Sequence, residues 1–269
     1  MLNIEKKFQY QNLDIYYKVM GKGEPVVLLH GFAEDSNIWK EQVSFLQQYC
    51  CLIVPDLPGS GKSGMLKKDN VVIEDYANSL NALLVHESIE KCILLGHSMG
   101  GSIILAFADM YPRKLQAFGF VHSTAFADTE EKKSSRKKGI KMMEEYGVFP
   151  FLKNTTPNLF SENYKKQHSE RVSELIEQGK NFSKEALIQY YTAMMNRPDR
   201  TEVLAKSDVP VLFIIGSEDK AAPLDDLLKQ VSLPKISHIH IIKGVGHMSM
   251  LEEAEQLNNY LLEFIKNTS

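Results

Sequence analysis

Gly96-His97-Ser98-Met99-Gly100 is a G-x-S-x-G pentapeptide. With glycine and serine each near 7% of residues, such a pattern arises by chance in about one protein in ten of this length, so its setting decides its worth. A buried, strand-like run from Lys91 to Leu95 leads straight into it, and a helical pattern from Met99 to Tyr111 leads straight out. That strand-turn-helix context holds a serine hydroxyl on a sharp turn above the end of a sheet. The small neighbours two residues to either side are what so strained a turn requires, and Gly101 adds backbone freedom. A serine hydroxyl is a poor nucleophile until a histidine removes its proton, and the imidazolium then needs an acid to orient and stabilise it. In this setting the acid should precede the histidine, both C-terminal to the serine. Gly216-Ser217-Glu218-Asp219 ends one strand-like run and Gly244-Val245-Gly246-His247 follows the last one. Ser98, Asp219 and His247 are therefore the candidate catalytic residues, with Glu218 as the competing acid.

A developing oxyanion needs two donors. His30-Gly31-Phe32 directly follows the strand Val26 to Leu29, so the Phe32 backbone N–H, together with that of Met99, is placed to supply them; such donors are each worth roughly 3 kcal/mol. His122, at the end of the run Phe118 to Val121, lies near the site by topology, as a satisfied histidine or pocket liner rather than a catalytic one. Met248 and Met99 adjoin candidate catalytic residues and suggest an adaptable apolar acyl pocket, against the plainer reading of methionines as core filler. His97 is expected to be structural.

These residues need a scaffold. Apolar runs at Val26 to Leu29, Cys50 to Val54, Cys92 to Leu95, Phe118 to Val121, Val211 to Ile215 and Ile239 to Ile242 alternate with helical patterns at Ile38 to Gln48, Glu74 to Glu87, Met99 to Tyr111, Leu224 to Gln230 and Met250 to Lys266. Short continuous apolar runs are buried on both faces, and their alternation with helices means a parallel, doubly wound sheet with its site at the strand ends. Leu13 to Val19 alternates instead and precedes a Gly-Pro turn cluster, which predicts antiparallel edge structure. From Thr124 to Arg200 there is no strand run, and the segment carries a net charge of +3 while the rest carries −6. This predicts an α/β core over 1–123 and 201–269, with a helical insertion over 124–200.

The 269 residues are 43% hydrophobic and 24% charged, with a net charge of −3, which fits a folded globular protein and gives no field to attract nucleic acid or an anionic membrane. No apolar run approaches the roughly 18 residues of a membrane span. The polar start Met1-Leu2-Asn3-Ile4-Glu5-Lys6-Lys7 lacks a signal-peptide core, and Cys50, Cys51 and Cys92 read as reduced thiols. The expected location is cytoplasmic, so the sequons at Asn154, Asn181 and Asn267 carry little weight.

Taken with Asp56-Leu57-Pro58-Gly59-Ser60-Gly61-Lys62-Ser63, Gly216, Asp219 with Pro223, and Gly246-His247, the motifs at His30 and Ser98 resemble the α/β-hydrolase superfamily, in its capped serine-hydrolase branch. The resemblance implies an eight-stranded, mostly parallel sheet with a helical cap between strands six and seven, and no cofactor. It spans esterases, carbon-carbon bond hydrolases and haloperoxidase-like proteins. Serine at position 98 argues against relatives of this fold whose nucleophile is aspartate. The favoured function is hydrolysis of a small or medium carboxylic ester or thioester through an acyl-enzyme at Ser98. The alternatives are cleavage of a carbon-carbon bond in a diketone-type substrate, or a non-catalytic ligand sensor of the same fold.

Two patterns mislead. Gly59-Ser60-Gly61-Lys62-Ser63-Gly64 fits G-x-G-x-x-G and contains Gly-Lys-Ser, but no helix opens after it and Asp56 stands where a Walker glycine belongs. His238 and His240 share a strand face without a ligand set to complete a metal site. In the cap, the helix reaching Tyr146 is expected to show Ile140, Met142, Met143 and Tyr146 on one side and Lys133, Lys137, Lys138 and Lys141 on the other. Arg136 falls on the apolar side, where its stem packs with the guanidinium in solvent or meets an anionic group of the substrate. The lysine row could steer an acyl carrier protein, though a solvated face accounts for it as well.

Overall fold

The computed structural model describes residues 4–268; Met1 to Asn3 of the N-terminal segment and Ser269 of the last sequon lie outside them. Eight strands form one sheet: β1 Ile4–Tyr10, β2 Leu13–Gly21, β3 Pro25–Leu29, β4 Cys51–Pro55, β5 Cys92–His97, β6 Leu115–Val121, β7 Val211–Gly216 and β8 Ser237–Ile242, in the order β1-β2-β4-β3-β5-β6-β7-β8. The β4-β3, β3-β5, β5-β6, β6-β7 and β7-β8 pairs are parallel, and β1-β2 and β2-β4 are antiparallel. Between and after the strands lie α1 Lys40–Leu46, α2 Ile73–His86, α3 Met99–Met110, α4 Glu130–Tyr146, α5 Val148–Thr155, α6 Glu162–Gln167, α7 Ser169–Gln178, α8 Lys184–Asn196, α9 Thr201–Ala205, α10 Leu224–Leu228, α11 Ser249–Glu252 and α12 Ala254–Thr268.

The continuous apolar runs are buried on both faces because helices cover both. Along β3, Val27 and Leu29 join one core with Leu80 and Leu83 of α2 and Ile104 and Phe107 of α3. Val26 and Leu28 point the other way, into a core with Trp39 and with Leu261 and Phe264 of α12. That alternation is the two-residue side-chain period of a strand. The chain after β3 turns to the α1 face and the chain after β5 to the α3 face, although β3 and β5 are neighbours. A crevice opens at such a switch point, outside the carboxyl ends of the strands, and both candidate loops border it.

The order corrects one expectation. Leu13–Gly21 is not the edge of the sheet; β1 is. The two strands meet through Gln11 and Asn12, both with positive φ (48° and 64°), the conformation of a two-residue hairpin turn. The expected helix from Met250 to Lys266 is two helices, broken at Glu253, whose φ of −143° is not helical.

Helices α4 to α8 form an insertion between β6 and β7. Thr129 opens α4 by accepting from the Lys132 N–H, and Gly147 ends it at φ 87°. Met143 is buried and Ile140 and Met142 half-buried, as the helical period requires, but Tyr146 is 67% exposed and leaves the apolar side. No described helix is long and apolar enough to cross a membrane.

Candidate functional site

The turn at Ser98 is as strained as its glycines suggest. Ser98 has φ 50° and ψ −113°, a left-handed conformation that costs a residue with a side chain of order 1–3 kcal/mol. The strand and helix approach so closely that a Cβ on Gly96 would lie 2.5 Å from the Gly100 carbonyl carbon, and one on Gly100 would lie 2.7 Å from the Leu29 carbonyl oxygen. The Ser98 N–H is tied to Val121 on β6 at 3.0 Å, and Ser123 Oγ donates to the Ser98 carbonyl at 2.6 Å. Both bonds hold the turn against the next strand.

Asp219 sits past the end of β7 with its carboxylate fully engaged. Oδ1 accepts from the N–H groups of Ala221 (2.8 Å) and Ala222 (2.9 Å), and Oδ2 from His247 Nδ1 (2.8 Å) and His122 Nδ1 (3.2 Å). Burial pushes this carboxyl up, but the two imidazoles more than offset it and hold the group well below the usual carboxylate range. The competing acid, Glu218, is exposed. His122 bonds on its other side to Ser249 Oγ at 2.7 Å, and burial pushes its pKa down to about 4, so it stands neutral beside Asp219.

Ser98 and His247 line one cavity of about 180 Å³. Among the described residues no hydrogen bond joins Ser98 Oγ to the His247 ring, a contact that tightens in many enzymes only when substrate is bound. Neither the Phe32 nor the Met99 N–H has a hydrogen-bond partner among the described residues; Met99 is the first residue of α3, where helix geometry leaves donors unused.

Two supports escaped the sequence reading. Glu34 is buried, accepts from the Gly31 N–H at 2.6 Å and from His97 Nδ1 at 2.9 Å, and His97 Nε2 reaches the His247 carbonyl at 3.0 Å. Burial works against both charges, yet each partner stabilises the other: His97 is raised and Glu34 lowered from its ordinary value. His97 is thus structural, as expected, in the form of an imidazolium that ties the Phe32 loop to the His247 loop. Glu252 does similar work, accepting from the N–H groups of Gly246 (3.1 Å), Met248 (3.2 Å) and Ser161 (3.0 Å). Each of these acids stands beside another, Glu34 before Asp35 and Glu252 before Glu253, and nothing in either stretch singles out the buried one.

The methionine pocket is overturned. Met248 and Met99 are both 0% exposed, packed into the cores on opposite faces of the sheet, and neither lines the cavity. The methionine at the cavity wall is Met194 of α8. Phe32 stacks on Tyr191 of α8, with ring centroids 4.1 Å apart, and Arg136 lies over the Tyr191 ring at 5.0 Å. Arg136 thus faces the cavity, where its Nε donates to buried Asp128 at 2.6 Å. The glycine-rich decoy is a clasp: Ser60 Oγ donates to the Glu34 carbonyl (2.7 Å) and Tyr190 of α8 donates to the Pro58 carbonyl (2.8 Å). His240 stacks on Tyr260 and His238 packs edge-on to Phe264. The grouping of His122, Asp219 and His247 has metal-compatible spacing, but its atoms are already bonded to one another.

Known proteins share this framework. The chain is 26% identical, over 91% of its length, to the dihydrolipoyllysine-residue acetyltransferase component of an acetoin cleaving system from Pseudomonas putida, and spans 64% of that longer protein. It is 27% identical to a 2-hydroxy-6-oxononadienedioate/2-hydroxy-6-oxononatrienedioate hydrolase from Burkholderia vietnamiensis, covering 94% of this chain and 91% of that one. Among solved structures, a malate-bound thermophilic esterase from Thermogutta terrifontis superposes with a TM-score of 0.91 at 25% identity, over 100% of this chain and 99% of the other. Residues 24–254 match the family described as the α/β hydrolase fold. The chain belongs to the α/β hydrolase family.

Proposed function

We propose that the protein is a serine hydrolase of small carboxylic esters or thioesters. The observation that carries this reading is the 2.8 Å bond between His247 Nδ1 and Asp219, which fixes the imidazole and leaves Nε2, without a hydrogen-bond partner among the described residues, to act as a base on a wall of the cavity that Ser98 also lines. In the proposed sequence Ser98 Oγ attacks the substrate carbonyl while His247 Nε2 takes its proton. Asp219 keeps the proton on Nδ1 and stabilises the imidazolium. The free N–H groups of Phe32 and Met99 receive the oxyanion. His247 returns the proton to the leaving alcohol or thiol, and water repeats the steps on the acyl-enzyme. Each group is supplied by the chain itself. A cavity of about 180 Å³, below the roughly 300 Å³ at which ordinary ligand pockets begin, favours a short acyl group.

Carbon-carbon bond hydrolysis is the second reading, supported by the dienedioate hydrolase relative. Labelling with a fluorophosphonate, followed by rates on p-nitrophenyl esters of increasing acyl length and on vinylogous diketones, decides between them. Labelling at Ser98 with turnover of short esters is expected. Labelling with turnover of diketones alone selects the second reading, and absence of labelling removes both in favour of a non-catalytic ligand sensor.

A further inference from the structure

The cavity is short of negative charge. Its lining contains three cations, Lys132 and Arg136 of α4 and Arg197 after α8, against one carboxylate that is not otherwise balanced, Asp128. Glu34 also borders the cavity but is matched by His97. Asp128 accepts from Arg136 Nε at 2.6 Å and forms an ion pair with Arg197, Nη2 to Oδ1 3.0 Å. Arg197 is further spent on the carbonyls of Phe126 and Met194. Lys132 is different: among the described residues its ammonium makes one hydrogen bond, to the Ala221 carbonyl at 3.3 Å, leaving two of its three donors without a partner there. Ala221 is two residues from Asp219, and Arg136 is one helical turn from Lys132, so the two side chains stand on one face of α4. Burial, with Arg197 and Arg136 nearby, lowers the Lys132 pKa despite Asp128 and Asp226, and Asp226 is itself held by Lys229 at 2.9 Å. A cation kept this way gains from an incoming anion.

We propose that Lys132 and Arg136 form an anion subsite in the cavity, so that the ester or thioester cleaved at Ser98 carries a second, ionised carboxylate close to the scissile carbonyl. This names the substrate class of the hydrolase reading and rests on it. Lys132 supplies free ammonium donors, and Arg136 supplies a charge already oriented by Asp128 and the Tyr191 ring. The small cavity sets a short spacing between the carboxylate and the ester, as in half-esters of short dicarboxylic acids.

The test compares p-nitrophenyl butyrate with the p-nitrophenyl half-ester of succinic acid, in the native protein, Lys132→Met and Arg136→Gln. The native protein should prefer the half-ester in kcat/KM, and each variant should lower the ratio of half-ester to butyrate by at least about tenfold. A ratio unchanged in both variants overturns the subsite even where esters are cleaved. A second readout does not require turnover: succinate should slow fluorophosphonate labelling of Ser98 in the native protein and much less in Lys132→Met. Equal protection in both overturns the subsite, whereas failure of labelling itself strikes the hydrolase reading instead. Circular dichroism and the unfolding midpoint confirm that each variant is folded.

Discussion

His122 Nδ1 lies 3.2 Å from Asp219 Oδ2, the same oxygen that His247 Nδ1 holds at 2.8 Å, so the candidate acid carries two imidazoles on one lone-pair edge. His122 must be neutral to leave the pair tuned for His247: its Nδ1 donates to Asp219 and its Nε2 accepts from Ser249. Burial enforces that by pushing its pKa to about 4. An unfolded histidine titrates near 6.5, so between about pH 6.5 and 4 the unfolded chain binds more protons here than the folded one. The His122 contribution to stability is therefore present above that window and lost as pH falls through it, by roughly 3 kcal/mol in total. His122 has φ 56°, which asparagine tolerates, so His122→Asn removes the titration without adding strain. Urea unfolding at pH 7 and pH 4 should show a smaller loss for His122→Asn than for the native protein. Parallel losses would show that His122 does not set this acid limb.

Asp219 has no lone pair to spare, and that decides between neighbouring acids. An amide at 219 would present its NH₂ either to the imidazole N–H groups or to the amides of Ala221 and Ala222, breaking two bonds in either orientation. Asp219→Asn should lower kcat about 10⁴-fold by releasing the wrong His247 tautomer, with a smaller change in KM. Glu218→Gln, at an exposed position, should stay within about twofold, in line with a surface change that breaks no network. Steady-state kinetics on one ester checks both, and a damaging Glu218→Gln would reassign the acid.

The strain at Ser98 gives a prediction in which stability and function move in opposite directions. Glycine accepts φ 50° without a Cβ penalty, so Ser98→Gly should abolish labelling and turnover while raising the unfolding free energy by about 1 kcal/mol, toward the lower end of the strain range. Ser98→Ala should also abolish both but keep the strain and show little or no gain. Thermal unfolding of the two variants side by side separates them; equal midpoints would mean that the turn is not strained.

Much of this arrangement was legible because it is local. A continuous apolar run such as Val211–Ile215 has one way to be buried on both faces, and the Gly96-to-Gly100 spacing gains its meaning from the strand-like run before it and the helical pattern after it, all within about twenty residues. What the sequence hides is non-local or defined by orientation. Strand β1 reads as a charged segment, Ile-Glu-Lys-Lys, because an edge strand meets water, and its Gln11-Asn12 turn lacks the glycine that marks a hairpin. Met248 adjoins His247 in the chain, but successive residues on an irregular loop point apart, and its side chain goes to the core. Glu34 and His97, 63 positions apart, give no hint of pairing until the loops are folded. Arg136 could be put on a helix face by period alone, whereas its partner Asp128 could not.

The Glu34–His97 pair also yields a test of what holds the two loops together. Both groups are buried, at 6% and 1% exposure, and the imidazolium spans from the Gly31 loop to the His247 carbonyl. Glu34 is lowered, so its contribution is present above its unfolded pKa of about 4.3 and lost as pH falls; His97 is raised, so its contribution is present below about 6.5 and lost as pH rises through its folded value. The pair is therefore fully effective between those limits. Glu34→Gln leaves a buried histidine without its counter-charge and should cost about 3–5 kcal/mol. His97→Gln should cost a similar amount by stranding Glu34. The double variant, which removes both charges, should lose much less than the sum, giving a coupling of about 2 kcal/mol or more in a double-mutant cycle. Denaturant unfolding near pH 6 measures it. Additive losses would mean that the two side chains act independently, and that the Phe32 and His247 loops are held by Glu252 and the strand ends alone.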